Sequence, residues 1–577
     1  MQAPTPSLTV NGSTQPTRSP SPNPARYKGT VVFSGGSAAN HLVDVFNQLT
    51  NKTCPLSYVI PISDNGGSTS ELIRVFGGPG IGDLRSRLVR LIPDHSDPES
   101  EAAAIKALFN HRLSRDSREA KHEWQDILEA EHMVWQGVST PKKELIRSHL
   151  NWVNLEIVKR LRPSSRFDFS GASIGNLFIT GARVFTGSLE SAIYLLSSIC
   201  SVPSSVSVLP AINTNFTHHI SVSLADGSLI TGQNNISHPS IPTHIPSTPT
   251  TAEGSHDADP SEICPITRLR TETEESDKVE DANLPGSLPS LRKPFLEFSK
   301  NPSVSDDLPS RIERLWYINP YGQEITLPAN PRVTESLTSA SCIIYSIGSL
   351  FTSIIPSLIL RGVGNAIATT PSIRAKILIL NGSIDRETGH SSSPFTALDF
   401  ISAIANACDQ SRNPRFFPAS APHNYSNSAS SHPHTHAHEV HDPPKLAEAE
   451  YKTYVTHIIH LDHAGAPKVD RAHLKSIGIE TLRLYGQERG RYDHRALQQC
   501  LEMIMGRRRS GGSAGGTFGS SNNSNSNGNS GSGASLNPGS GAGGEGGAGS
   551  EGQSAGGEAG GENVRLGRQL RRNTLER

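Results

Sequence analysis

Cysteine is scarce and scattered in this chain. Six occur in 577 residues, at positions 54, 200, 264, 342, 408 and 500. No two form a C-x-x-C pair, so neither a zinc ribbon nor a disulfide framework is signalled. The spacing favours a reducing compartment, with Cys342 and Cys408 in apolar stretches as small core residues. Net charge is equally lacking: Lys+Arg 53 against Asp+Glu 54 leaves −1. That balance gives no electrostatic case for nucleic acid or a membrane surface as the main partner. No basic start followed by an apolar run opens the chain, so a secretory signal is not expected. The most apolar window, residues 349–368, contains Pro356 and Arg361, which argues against a membrane span. A soluble, cytoplasmic protein is expected. Hydrophobic content is only 35%, and the polar residues cluster, so much of the length is expected to lie outside any folded core.

The clusters are easy to place. Residues 1–26 are rich in Pro, Ser and Thr, as are 237–308, which add an acidic patch at 272–281. Residues 411–444 are rich in Ser, His and Pro, and 510–562, within the tail 510–577, are almost wholly Gly, Ser, Asn and Ala. None can bury enough apolar surface to offset its ordering entropy, so all four are expected to be disordered. The remaining pieces, about 27–235, 311–408 and 451–505, read as one α/β domain over 27–505 interrupted by the insertions 237–308 and 411–444. No single piece completes a sheet alone.

What the remaining pieces do contain is a set of short β-branched runs, each followed by a glycine-rich or polar turn. Val31-Val32-Phe33 runs into Ser34-Gly35-Gly36-Ser37, and Tyr58–Ile62 into Ser63-Asp64-Asn65-Gly66-Gly67-Ser68. Cys342–Tyr345 runs into Ser346-Ile347-Gly348-Ser349, and Ile377–Leu380 into Asn381-Gly382-Ser383. Between them the periodicity is helical, with Leu84, Leu88, Leu91 and Ile92 on one face after Asp83. Asp83, preceded by Gly82, is a candidate N-cap. Residues 99–161 read as an added helical subdomain, and 219–233 as a hairpin around Asp226-Gly227. Strands alternating with helices imply a Rossmann-like, mostly parallel sheet. In such sheets ligands bind beyond the carboxyl ends of the strands, so the four turns are expected at one edge, lining one crevice.

That lining suits a phosphorylated ligand, although each turn also has a plainer reading. Ser34–Ser37 opens a helix whose free N–H groups attract phosphate, yet small residues are also what a strand-to-helix turn needs. It is neither G-x-G-x-x-G nor a Walker loop. Residues 64–68 fit an anion-binding nest in which Asp64 holds Mg²⁺, or an Asx-turn in which Asp64 only caps the next helix. The glycines of Gly77–Gly82 suggest a mobile lid or close ligand approach. Arg85 then reaches a phosphate or lies solvated on a helix face. In Ser173-Ile174-Gly175-Asn176, Ser173 caps a helix and Asn176 faces a crevice, or the helix is simply buried and packed through Gly175. The alternating His432, His434, His436 and His438 offer metal capture, but inside a segment expected to be disordered.

Taken together and in order, these motifs resemble the YvcK/CofD family of α/β proteins. Ser34–Ser37 is similar to the family's opening Gly-Gly-Gly-Thr-Gly. Residues 63–74 resemble its Asp-Asp-Gly-Gly-Ser-Ser-Gly-x-Leu-Arg, and 81–85 its Pro-Gly-Asp-Ile-Arg. Residues 173–177 resemble Ser-x-Gly-Asn-Leu. Gly348-Ser349-Leu350-Phe351-Thr352-Ser353-Ile354-Ile355-Pro356 is similar to Gly-Ser-Leu-Tyr-Thr-Ser-Ile-x-Pro of the YvcK branch. The resemblance covers 27 to about 408 and weakens through 451–505. Asn65 replaces one of a paired Asp, Ile81 a proline, and Ser346-Ile347 a Gly-Pro. Residues 381–388 follow the family's Asn-Leu-Met-Thr-Gln-Pro-Gly-Glu-Thr loosely, one residue shorter.

The resemblance implies a nucleotide-sugar (UDP-sugar) binding, regulatory protein of carbon metabolism like the YvcK gluconeogenesis factors. As alternatives it admits a CofD-like transferase of 2-phospholactyl type acting with Mg²⁺, then a non-catalytic scaffold, and it leaves open whether the chain is an enzyme. The ligand class is a phosphorylated small molecule, nucleotide-sugar or dinucleotide, and a homo-oligomer is open to it. The residues expected to line the ligand site are Gly35, Gly36, Ser37, Asp64, Asn65, Gly66, Gly67, Ser68, Gly82, Asp83, Arg85, Ser173, Gly175, Asn176, Gly348, Ser349, Thr352, Ser353 and Asn381. Asp64 is the candidate metal ligand.

Overall fold

A computed structural model describes residues 29–35, 38–50, 54–63, 68–93, 97, 99–161, 166–237, 307–390, 393–412, 445–487 and 490–506. The tails, most of each expected insertion and the His432–His438 tract lie outside the described residues. In chain order the first part comprises β1 (Gly29–Phe33), a 3₁₀ turn Ala38–Leu42 leading into α1 (Val43–Gln48), β2 (Leu56–Ile60), α2 (Ser68–Phe76) and α3 (Gly82–Arg90). Then come α4 (Glu101–Asn110), α5 (Ser117–Glu129), α6 (Thr140–Arg160), α7 (Ile174–Thr186), α8 (Leu189–Ile199) and β3 (Val206–Pro210). A second group follows: β4 (His219–Leu224), β5 (Leu229–Thr231), α9 (Gln233–Ser237), β6 (Ile312–Ile318), β7 (Glu324–Ile325) and α10 (Pro331–Thr338). The rest comprises β8 (Ala340–Tyr345), a π-helical turn Leu350–Ile354, α11 (Ile355–Leu358), α12 (Val363–Thr369), β9 (Ala375–Ile379), the short pair β10 (Gly389–His390) and β11 (Ser393–Pro394), and α13 (Ala397–Arg412). It ends with β12 (His457–Leu461), α14 (Arg471–Ser476), β13 (Glu480–Leu484), the pair β14 (Gly486–Gln487) and β15 (Arg491–Tyr492), and α15 (His494–Ile504).

Seven strands form one sheet in the order β13-β12-β9-β8-β1-β2-β3, and every neighbouring pair is parallel. The central strands are mostly apolar because helices cover both faces: β1, β2 and β9 are buried at every residue, Thr30, Ser57 and Lys376 included. The fold is thus α/β and Rossmann-like, as the alternating pattern implies. Chain order runs outward from β1 through β2 to β3 on one side, and from β8 through β9 and β12 to β13 on the other. The strand order therefore reverses between β1 and β8, the kind of switch point where open sheets take ligands.

The hairpin around Asp226-Gly227 forms as expected, with Ser221 opposite Thr231. It belongs, however, to a separate four-stranded antiparallel sheet, β5-β4-β6-β7, that the sequence reading did not separate. Residues 99–161 are helical, as α4, α5 and α6. Asp83 is not the cap of α3: that position is Ile81, with no side-chain cap bond, and Asp83 sits inside the first turn, where a carboxylate favours the helix dipole. Among the described residues no helix is long and apolar enough to cross a membrane. The five described cysteines, Cys342 and Cys408 among them, are buried thiols outside any disulfide.

Candidate functional site

Residues 34–35, 61–63, 346–349 and 381–383 follow the carboxyl ends of β1, β2, β8 and β9, four consecutive strands of the sheet. Direct contacts join them. A Cβ built on Gly35 would lie 3.1 Å from Pro61 Cγ and 3.1 Å from Ser353 Cβ, so the first turn is in van der Waals contact with the second and with the helix that follows the third. Gly348 has φ +142°, a conformation that disfavours side chains, and sits against Ser353 and the Gly35 carbonyl. Its N–H donates to Asn381 Oδ1 at 3.0 Å, and Asn381 Nδ2 donates back to its carbonyl at 2.9 Å. Asn381 thereby ties the β8 and β9 turns with a reciprocal pair of bonds. Gly36, Ser37, Asp64, Asn65, Gly66 and Gly67 lie outside the described residues. Ser68 opens α2.

Two buried ionisable side chains hold this edge, and neither was anticipated. Glu387 accepts from the N–H groups of Phe351 and Thr352 at 2.8 and 3.1 Å and from Thr352 Oγ1 at 2.5 Å. It caps the helix that follows Ser349, so the amide and hydroxyl of Thr352 are already engaged. Burial, reinforced by the neighbouring Asp385, raises its pKa to about 8. Asp385 itself accepts from Thr388 Oγ1 at 2.7 Å. Arg87, 1% exposed, donates to Ser34 Oγ and to the Ala39 carbonyl, both at 3.3 Å, and its guanidinium lies 4.8 Å from the Tyr58 ring centroid. A signal for it existed: Arg87 falls on the Leu84, Leu88, Leu91 stripe, the face that periodicity turns inward. A signal for Glu387 existed too, since residues 381–388 end in Glu-Thr like the family segment.

The other candidates fall nearby in the fold but are engaged differently. Arg85 donates to Asn110 Oδ1 at 3.0 Å, and its stem crosses Gly175 so closely that a Cβ there would lie 2.7 Å from Arg85 Cδ. Burial, with Arg112 near, lowers its pKa. Asn176 donates to Thr69 Oγ1 at 3.4 Å, linking α7 to the first turn of α2. Ser173 occupies the N-cap of α7 but makes no cap bond. Its buried hydroxyl finds no partner among the described residues, and the same holds for Ser346 just after β8. The segment 77–82, expected as a mobile lid or a point of close ligand approach, is tethered by three hydrogen bonds. Gly80 N–H donates to the Ile62 carbonyl at 2.8 Å, Arg183 to the Gly77 carbonyl at 3.0 Å, and Thr217 Oγ1 to the Gly78 carbonyl at 2.8 Å.

An open parallel sheet with glycine turns at its switch point is an architecture in which ligands bind beyond the carboxyl ends of the strands. The chain matches the family model described as 2-phospho-L-lactate transferase CofD over residues 30–459. It belongs to the CofD family. An uncharacterized protein of Saccharomyces cerevisiae is 43% identical over 366 residues, which is 62% of this chain and 78% of that protein. Two solved structures of a UPF0052 family protein from Bacillus halodurans are also similar, at 17% identity and TM-score 0.46. They cover 82% of this chain and 98% and 99% of theirs.

Proposed function

We propose that this chain is a CofD-like transferase that moves a phospho-group from a nucleotide-activated donor bound beyond β9, β8, β1 and β2. The observation that carries the reading is the convergence of the glycine turns of four adjacent strands across the switch point, in a chain of a family named for 2-phospho-L-lactate transfer. Arg85 and the glycine turns would position the donor, and the acceptor hydroxyl would displace a nucleotide phosphate with loss of its proton. Asp64 is the residue that would hold Mg²⁺, which in such a site stabilises charge on the transferred phosphate. Of the described carboxylates near this edge, Glu387 is engaged by helix amides and Asp385 by Thr388. The ion would therefore rest on Asp64, the ligand phosphates and water, a coordination Mg²⁺ commonly takes.

A second reading has its own support. The motif 348–356 resembles that of the YvcK branch, which favours a nucleotide-sugar-binding protein that regulates carbon metabolism without turnover. Thermal-shift screening of the full chain against GDP, UDP, UDP-sugars and dinucleotides, with and without Mg²⁺, separates the ligand classes. Offering nucleotide-activated 2-phospholactate with an alcohol acceptor, followed by ³¹P NMR, separates transfer from binding. Release of nucleoside monophosphate that depends on acceptor supports the transferase. UDP-sugar binding with no phosphorus turnover supports the regulator, and no nucleotide binding at all overturns both. Asp64→Asn should abolish the Mg²⁺-dependent part of binding or turnover. If it lowers only stability, by about 1 kcal/mol as for a lost cap, Asp64 is structural.

A further inference from the structure

The helical addition brings together three side chains that the crevice does not use. His111 follows the last residue of α4, Glu123 lies in the middle of α5, and His132 stands two residues after α5 has turned back on itself. His111 Nε2 is 2.7 Å from Glu123 Oε1, and His132 Nε2 is 3.6 Å from the same oxygen. One ligand atom from each lies within 4.8 Å of the others, the one such group of His, Cys, Asp or Glu among the described residues. All three are half-buried. We propose that His111, Glu123 and His132 form a Zn²⁺ site that clamps α4, α5 and the following loop.

The ligand chemistry points to zinc rather than Mg²⁺ or Ca²⁺, because two imidazoles with one carboxylate suit a borderline cation, not one that prefers oxygen. A tetrahedral ion with bonds of about 2.0–2.1 Å keeps its ligand atoms about 3.3 Å apart. The observed 2.7 and 3.6 Å bracket that separation, and the two imidazole nitrogens lie within 4.8 Å of each other, so side-chain shifts of about an ångström bring the three atoms to coordinating distance. The backbone already supplies the arrangement. Ala130 adopts φ +67°, unusual for a residue with a side chain, and the N–H groups of Glu131 and His132 both donate to the Asp126 carbonyl. This turn reverses the chain and returns His132 to the Glu123 face. The second carboxylate oxygen of Glu123 accepts from Ser114 N–H at 2.8 Å, the kind of outer contact that orients a ligating carboxylate. His132 Nδ1 accepts from Val134 N–H at 3.1 Å. Coordination through Nε2 moves the ring proton to Nδ1 and gives up that contact. With three protein ligands at a half-buried site, water completes the shell.

The test must separate this site from the His432–His438 tract. The parent is therefore compared with a full-length chain carrying His432→Ser, His434→Ser, His436→Ser and His438→Ser. In that background one equivalent of Co²⁺ should give the intense visible absorption of a tetrahedral centre, displaced by Zn²⁺. Saturating Zn²⁺ should raise the melting midpoint by roughly 5 °C. His132→Ala and Glu123→Gln should each abolish both signals, while circular dichroism and the metal-free melt report whether the variant folds. Should His132→Ala fail to fold, His111→Gln replaces it. Metal signals that vanish with the tract substitutions, or that survive His132→Ala and Glu123→Gln, overturn the site.

Discussion

The two sides of the switch point are held by buried ionisable side chains of opposite kind, a base and an acid. On the β1–β2 side a guanidinium, Arg87, reaches Ser34 and the Ala39 carbonyl and lies over Tyr58. On the β8–β9 side a carboxylate, Glu387, gathers two amides and a hydroxyl at the start of a helix. Each side chain fixes a turn by satisfying backbone groups that a strand-to-helix junction leaves open. They differ in what pH can do to them. Arginine stays charged throughout the accessible range, even with its pKa lowered by burial. The glutamate, raised to about 8, changes state near neutrality. One side of the crevice is therefore constant with pH and the other is adjustable.

The largest expected effect tests the constant side. Arg87→Ala removes a fully buried cation and leaves a cavity between α3 and β2, which should cost about 3–5 kcal/mol in urea unfolding. A loss below about 1 kcal/mol would show that the turn at Ser34 does not depend on it. The adjustable side comes next. Between pH 4.5, the ordinary value, and about 8, the folded chain keeps the Glu387 proton while the unfolded chain releases it. The native state then binds more protons, so stability falls as pH rises through that window. Glu387→Gln, which does not titrate, should remove a slope of up to about 1.4 kcal/mol per pH unit, read from melts at several pH values. An unchanged slope would move its origin elsewhere.

Asn381→Ala probes the tie between the β8 and β9 turns. Two hydrogen bonds to Gly348 are lost, for about 1–2 kcal/mol by chemical denaturation. If the proposed donor binds at this edge, its affinity should fall as well, and unchanged affinity would place it on the β1–β2 side. The smallest effect is Gly348→Ala, expected at about 1 kcal/mol because φ +142° is unfavourable for a side chain. A neutral result would mean that the turn relaxes without disturbing Ser353.

Much of this was legible along the chain, and the failures have a pattern. The β-branched runs before Ser34, Ser63, Ser346 and Asn381 read correctly as strands because their lengths and bounding glycines are local features. The stripe from Leu84 to Ile92 marks the buried face of α3. Even so Arg85 was singled out, because it matched a motif, whereas Arg87 carries the buried contacts. Strands β12 and β13 were not separated from their surroundings, since a five-residue run flanked by polar segments resembles many loops. The antiparallel sheet was half seen: its hairpin is local, but its pairing with β6 joins residues 219–224 to 312–318 across most of a long insertion.

The sequence by itself determined the α/β class, the glycine turns after the strands, the helical addition and the family, because each depends on neighbours within one or two turns of chain. The tertiary structure alone decided that β9, β8, β1 and β2 stand side by side, that Ser34 meets Arg87, and that Phe351 meets Glu387. Those partners are separated by 53 and 36 positions. Such pairings follow from which apolar faces pack together, and that packing is a property of the assembled core rather than of any segment.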